Sequence, residues 1–583
     1  MIANTSATVT SPSRSNRQLN TRLRPFQLAP TTYPEALVGN SSYGGKRQAL
    51  IENREHLTTQ QDNAAASYYS LALAISLLTA AYLIWFCRVR LLWNDELLAM
   101  QYDQLPTFAA SWNAILHYPT VFEPPTYHLL SELAMRLLGV NALALRLPSL
   151  IGLVLMQWAL FALVKRIAGF RSAIIVMLLP VGLSTLRWGS DGRPYGLMLG
   201  LHMLVILFWY IATRNIDERC QGKNMYLALA GLFVALFLSV TNHYYGFLIF
   251  APVITGELAR LMIRRHIDWK ILSVMALTAP AFLIDYIFSK GVAPFRAGYV
   301  VHKLSLAEFG RLYIDLFVNN DRWSSRSEIL ASLSFLLLFV IFVTMIVRIL
   351  RHDTRADPSL LPLMIAVLTL ALLPVFGLVT NWFAKGDFQM RYTLTASLAW
   401  FIVTGFLIKP LLVSSRRWFV VFFILLTAVI SIAGLHLRNT RRVATLQLKE
   451  LVLPAAIAAD LIHHPEEHIF IADSNYFLTA NYYLGDQNLR NRVTFLYDSE
   501  KERRWLQSDQ LNLDANQFKK FTNLHVSSFD EMVKQKSPFV VIYDDGFDWL
   551  SMDVKQNNTP VQYLGSALEG ELYRMQASPP ADQ

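Results

Sequence analysis

The stretch "SLALAISLLTAAYLIWFCRVRLLWNDELLAM" (residues 70–100) decides the class of this protein. From Ser70 through Cys87 it carries no charged side chain. With the preceding tyrosines it is long enough to cross a bilayer core, which takes about 20 helical residues. Arg88 and Arg90 close the run, and Asp95 and Glu96 follow side by side. Two acids at that place are either a polar helix end or a reaction centre at the edge of the lipid.

The composition agrees with a membrane protein. Of 583 residues 54% are hydrophobic and 16% charged, where soluble domains carry about 25% charged residues. The formal charge is 52 − 42 = +10. The basic residues fall between apolar runs, so the excess sets membrane orientation and does not point to nucleic acid. Cys87 and Cys220 form no disulfide framework or metal-ligand spacing.

Residues 1–66 hold no long apolar run and read as a disordered cytoplasmic tail. Apolar runs follow near 68–88, 143–164, 172–188, 194–213, 225–241, 245–263, 271–289, 329–350, 359–380, 392–410 and 417–436. This predicts an α-helical polytopic membrane protein with about eleven transmembrane helices. Pro180, Pro252 and Pro374 lie inside runs, as bundled membrane helices tolerate. Lys and Arg concentrate in alternate loops, beginning with Lys165, Arg166 and Arg171. The positive-inside rule places those loops in the cytoplasm. Residues 89–142, 290–328 and those after about 437 then lie outside. In the last region "HIFIADS" (468–474), "RVTFLYD" (492–498) and "PFVVIYDD" (538–545) read as strands between helices. They predict a small extracytoplasmic α/β domain over 437–583, after a membrane module over 67–436.

The informative polar residues lie in the outer loops. In the first outer loop, "EPPTYHLLSELAMRLLG" (123–139) predicts a helix starting at the prolines. Its apolar stripe is Tyr127, Leu130, Leu133 and Leu137, placed on the membrane face. "RWGSDGRPYGL" (187–197) pins Asp191, Arg193 and Tyr195 in a very short loop. "TNHYYGF" (241–247) presents His243, Tyr244 and Tyr245. "NWFAKGDFQMRYTL" (381–394) puts Lys385, Asp387 and Arg391 on the outer side, against the charge rule. Each has an ordinary reading too: interface anchors for the bases, belt residues for the tyrosines, a structural role for the histidine. Taken together, bases that can hold a phosphate and a carboxylate that can take a proton suit a lipid-linked phosphate substrate.

At this point the sequence resembles the GT-C membrane glycosyltransferases. It is similar to the bacterial branch that includes relatives of protein O-mannosyltransferases and the lipid A aminoarabinose transferase. "NDE" after the first span, "EPPTYHLL", "LRLPSLIGLV" and "DGRPYGL" carry the likeness, and "QMRYTL" adds to it. The resemblance covers about residues 70–450. It implies transfer of a hexosyl or pentosyl group from a polyprenyl-phosphate sugar to an acceptor at the outer face of a bacterial inner membrane. It implies Asp95 as catalytic base, with Glu96 as helper or acceptor-side ligand. It makes Arg193, Lys385 and Arg391 candidates for the donor phosphate. Glu123, Tyr127, Asp191, Tyr195, His243 and Tyr245 are then candidates for substrate binding. Related enzymes often read "HPP" where this chain has "EPP", so the role of Glu123 is open. A divalent metal, the sugar and the acceptor also stay open. The expected partners are the donor and membrane lipids, without nucleic acid. The alternative is a transporter or flippase of lipid-linked sugars. Transporters place polar groups near the midplane, whereas here the midplane parts of the runs are nearly free of charge, Asp285 excepted. A sensor with a ligand-binding outer domain is a third reading.

Overall fold

A computed structural model describes residues 43–121, 123–219, 222–296, 306–317, 325–352, 357, 360–384, 389–450, 455–507, 517–534, 538–543, 548–568 and 570–575. Lys385, Asp387 and Cys220 lie outside them. The chain divides into two units, Met1–Asn63 and Ala64–Gln583.

Helix α1 (Tyr43–Val89) carries the first span over Ala65–Val89. It begins well inside the segment expected to be disordered. Good helix formers such as Lys46, Gln48, Ala49, Leu50 and Glu52 allow the helix to extend upstream of its apolar part.

Each of the eleven apolar runs falls on helix. Among the described residues seven helices are long and apolar enough to cross a membrane. A pair bent by 52°, Leu360–Ala371 with Leu373–Phe383, makes an eighth if it is one span. Phe170–Val181, Phe339–Ile349 and Ala396–Leu412 are apolar but shorter.

Between the first two spans the chain forms α2 (Asn94–Asp103), α3 (Phe108–His117) and α4 (Pro125–Leu138), followed by the spanning α5 (Ala142–Ala168). Local chemistry sets these boundaries. Thr107 accepts the Ala110 N–H at 3.1 Å, and Asn141 accepts those of Leu143 and Ala144 at 3.0 Å each. Pro125 occupies the first turn of α4, where a missing N–H is harmless. Leu130, Leu133 and Leu137 are exposed along α4 as expected. Tyr127 turns inward and is fully buried, because its ring packs with Leu197 and Leu201 and its hydroxyl donates to Leu145 O at 2.9 Å.

After α6 (Phe170–Leu178) and α7 (Ser184–Gly189), α8 (Tyr195–Asp217) packs directly on α5. Glycines make that contact close. A Cβ on Gly152 would run into the backbone of Gly196 and Leu197, and one on Gly200 into Gly152. The approach brings the 190–194 loop against the start of α2.

The C-terminal part is a six-stranded sheet in the order β3-β2-β1-β4-β6-β5. Strands β1 (Ile469–Ile471), β2 (Val493–Tyr497), β3 (Val526–Ser528) and β4 (Phe539–Tyr543) are parallel. The antiparallel pair β5 (Val561–Ala567) and β6 (Gly570–Met575) extends it at β4. Its core continues into the first loop: Phe477, Leu478 and Phe518 share one apolar cluster with Leu97, Leu98 and Tyr102 of α2. Phe521 stacks on Tyr102 with centroids 4.7 Å apart, and Tyr483 Oη accepts the Leu92 N–H at 2.6 Å.

Candidate functional site

The first turn of α2 gives Asp95 and Glu96 opposite surroundings. Glu96 is fully buried. Arg146, from the second turn of α5, grips it at two points, Nε to Oε1 at 2.7 Å and Nη2 to Oε2 at 2.6 Å. The Trp93 N–H donates to Oε2 at 3.2 Å and the Gly192 N–H to Oε1 at 2.5 Å. Arg90 approaches Oε1 at 3.3 Å. Arg146 also donates to the carbonyls of Cys87, Arg90 and Leu91. Burial alone would raise the Glu96 pKa. The charges of Arg146 and Arg90 outweigh it and hold the carboxyl down at about 2. Both oxygens are thus committed to the protein.

Asp95 points elsewhere, with 24% of its side chain open. Its Oδ2 lies 3.4 Å from Arg391 Nη2 and 3.9 Å from Arg193 Nη2. Arg193 also donates to the Asp95 main-chain carbonyl at 3.1 Å. The carboxylate is therefore flanked by two guanidiniums at loose range.

Arg391 sits among aromatic rings. Its Cζ lies 5.2 Å from the ring centroid of Trp93, 5.5 Å from Trp188, 5.9 Å from Tyr392 and 6.0 Å from Tyr195. Such rings hold a guanidinium through their negative faces without neutralising it. Tyr195, His243, Tyr245 and Tyr392 form one aromatic cluster, the last two stacked at 5.2 Å. Burial, with Arg193 close by, pulls the His243 imidazole down to about 3, so it is neutral. Its Nδ1 accepts the Tyr245 N–H at 3.1 Å.

Arg193 has a second carboxylate, Glu123, whose Oε1 is 2.7 Å from Nε. Arg193 is not the partner of its neighbour Asp191. Asp191 pairs with Arg90 at 2.5 Å, and burial outweighs that charge and raises its pKa to about 6. Behind Glu123, His128 Nε2 lies 3.8 Å from Oε2, and His128 Nδ1 meets Asp103 Oδ1 at 2.7 Å. Ser131 donates to the other Asp103 oxygen.

The structure thus brings Asp95, Glu96, Glu123, Asp191, Arg193, Tyr195, His243, Tyr245 and Arg391 to one end of the bundle. Tyr127 is nearby, with its hydroxyl donated to Leu145 O at 2.9 Å. Arg90, Asp103, His128 and Arg146 were missed from the sequence. Arg146 stands in "LRLPSLIGLV", where an arginine entering a span reads as an anchor. Among the described residues no group of three His, Cys, Asp or Glu side chains converges as a metal site.

Residues 122–284 match the family model of the dolichyl-phosphate-mannose-protein mannosyltransferases. ArnT from Cupriavidus metallidurans in its apo state is 12% identical, with 89% of this chain and 100% of that chain covered and a TM-score of 0.51. The same protein bound to undecaprenyl phosphate gives 14% identity, the same coverage and the same TM-score of 0.51. The oligosaccharyltransferase of Archaeoglobus fulgidus in its apo form is 12% identical over 88% of this chain and 75% of that chain, with a TM-score of 0.47. No curated protein matches the chain. The chain is a multi-pass membrane protein with a small C-terminal sheet domain, and its fold is the GT-C fold of the membrane glycosyltransferases.

Proposed function

We propose that this protein is a glycosyltransferase that moves a sugar from a polyprenyl-phosphate donor to an acceptor by single displacement. The observation that carries the reading is the Asp95 carboxylate, open to solvent between Arg193 and Arg391. Support comes from the family model over residues 122–284. It also comes from an ArnT of the same fold that binds undecaprenyl phosphate.

The two arginines can hold the donor phosphate, Arg391 from its aromatic surround and Arg193 from its place beside Glu123. A bound phosphate would draw their charge away from Asp95 and leave that carboxylate free as a base. An acceptor hydroxyl or amine attacks the anomeric carbon and gives its proton to Asp95. The bond between that carbon and the phosphate oxygen breaks, and polyprenyl phosphate leaves with the electron pair. The arginines stabilise the charge that develops on the leaving oxygen. Glu96 does not react in this scheme; it fixes the turn that presents Asp95. Lys385 keeps its role as a further phosphate ligand on sequence grounds.

We assign this site and the α/β domain to the extracytoplasmic side of a bacterial inner membrane, a reading that the charge pattern of the loops supports. The test is transfer from a radiolabelled polyprenyl-phosphate sugar in the presence of membrane extract. Wild type consumes donor, and Asp95→Asn loses about 10²- to 10⁴-fold in rate, the usual contribution of a general base. Equal rates for the two proteins, or no donor consumed by wild type, reject the assignment.

A further inference from the structure

On the side of Arg193 away from Asp95, polar atoms converge in a dry place. Glu123 is 2% exposed and His128 1%. Neither oxygen of Glu123 makes a hydrogen bond among the described residues, and neither does His128 Nε2 or Arg193 Nε. The 2.7 Å approach of Arg193 Nε to Oε1 is an ion pair without hydrogen-bond alignment, and His128 Nε2 stays 3.8 Å from Oε2. A buried polar group left without a hydrogen bond is costly, because it has given up water and gained no partner. Such a cluster, in contact with the residue that flanks Asp95, calls for a ligand.

The imidazole is not free to turn away. Its Nδ1 is held by Asp103 Oδ1 at 2.7 Å, and Asp103 is held in turn by Ser131. Asp103 belongs to the last turn of α2, while His128 and Ser131 share one face of α4. The relay therefore ties the two ends of the first loop together and aims Nε2 at Glu123.

We infer that Glu123, His128 and Arg193 form a recess for one hydroxyl group of the sugar being transferred. A hydroxyl has one donor and two acceptor lone pairs. It can donate to a Glu123 oxygen and accept from the Nε–H of Arg193 and from His128 Nε2–H. An ammonium has donors only, so it could serve Glu123 but would oppose Arg193 and a proton-bearing imidazole. Burial pulls the His128 pKa down, but the Asp103 carboxylate overcomes this and raises it, which favours the proton-bearing form. At the ring position it holds, the recess thus selects a hydroxyl over an ammonium, so a sugar with an amine there binds less well than its neutral counterpart. Asp103 and Ser131 are positioning residues for it. The inference rests on the glycosyltransferase reading.

The experiment measures equilibrium binding to the full-length protein in nanodiscs, so that it does not depend on turnover. The probes are bare polyprenyl phosphate and polyprenyl phosphate carrying mannose, a neutral pentose or the matching aminopentose, the same pentose with the hydroxyl in the recess replaced by an amine. In wild type at least one neutral sugar strengthens binding over the bare phosphate, and the aminopentose strengthens it less. In Glu123→Gln and in His128→Phe the ratio of sugar-bearing to bare affinity falls about 10- to 100-fold, as expected when a hydrogen bond to a charged group is lost. His128→Gln, which keeps a side-chain donor, retains part of the ratio. Two results overturn the inference: no gain from any neutral sugar, or a ratio unchanged in both Glu123→Gln and His128→Phe. A larger gain for the aminopentose overturns it as well. Failure of bare polyprenyl phosphate to bind rejects the underlying donor assignment instead.

Discussion

Arg146 and Glu96 form a two-point ion pair with both side chains fully buried. The pair joins the second turn of α5 to the first turn of α2 and so fixes the helix that presents Asp95. Removing one partner of a buried pair leaves the other charge stranded, at a cost of about 3–5 kcal/mol. Glu96→Gln and Arg146→Met should each lower thermal stability by about that much. The double variant should be less damaged than the two single losses predict, because no unpaired charge remains. Thermal unfolding in detergent, read as a double-mutant cycle, checks this. Additive losses would mean that the two residues act independently.

The same end of the bundle should respond to acid in two opposed steps. Asp191 has a folded pKa raised to about 6 by burial. An acid whose folded pKa lies above its unfolded value makes the folded state more stable as pH falls from about 6 towards the ordinary carboxylate range. Glu96 has a folded pKa depressed to about 2, so its contribution is present above the ordinary range and is lost as pH falls towards 2. Stability should therefore rise slightly below pH 6, then fall below about pH 4.5. Asp191→Asn should remove the first step and leave the second. A Tm that declines steadily from pH 7 downward contradicts this assignment.

Arg391 is held by four aromatic rings and only loosely by Asp95, so its charge is available to an anion. Arg391→Gln should raise the KM for a polyprenyl-phosphate donor about 10- to 100-fold, the value of one charge-assisted hydrogen bond. Arg391→Lys should fall between, since an ammonium keeps the charge but loses the planar stacking and the paired donors. Steady-state kinetics at varied donor concentration separates this from a change in kcat. A KM unchanged in Arg391→Gln would remove the residue from the phosphate site.

The sequence made the spans legible because eleven apolar runs need no tertiary knowledge to be recognised. It made the Asp95–Glu96 pair conspicuous as a candidate, because two adjacent acids stand at the end of a span. What separates Asp95 from Glu96 was not legible. That depends on Arg146, fifty residues on, and on the Gly192 N–H, which reaches Glu96 only because α8 lies against α5 through paired glycines. The Asp103–His128 contact is hidden for the same reason, since it joins two helices of the first loop. A His and a Ser three apart in "HLLS" share a helix face, but nothing in that spacing names Asp103 as their partner. Arg193 shows the limit most plainly: its sequence neighbour Asp191 is the obvious partner, yet packing gives Asp191 to Arg90 and Arg193 to Glu123.

The α/β domain touches the site through Tyr483, whose hydroxyl accepts the Leu92 N–H at 2.6 Å. That N–H lies just before α2, three residues from Asp95, and has no place in the helix ladder. Phe521 stacks on Tyr102, whose own hydroxyl donates to Tyr118 O at 2.6 Å on the far leg of the loop. The domain thus holds both legs of the first loop. Tyr483→Phe removes only the acceptor and keeps the ring, so it should lower stability by about 1 kcal/mol. Its larger effect should be on turnover, because the turn carrying Asp95 loses its outer restraint and a small misplacement of a reacting group can slow a reaction by about 100-fold. Tyr483→Phe should therefore lower kcat more than it raises the donor KM. Hydrogen exchange should quicken at residues 92–96 in the same variant. A kcat equal to wild type with faster exchange would show that the restraint stabilises the loop without serving the reaction.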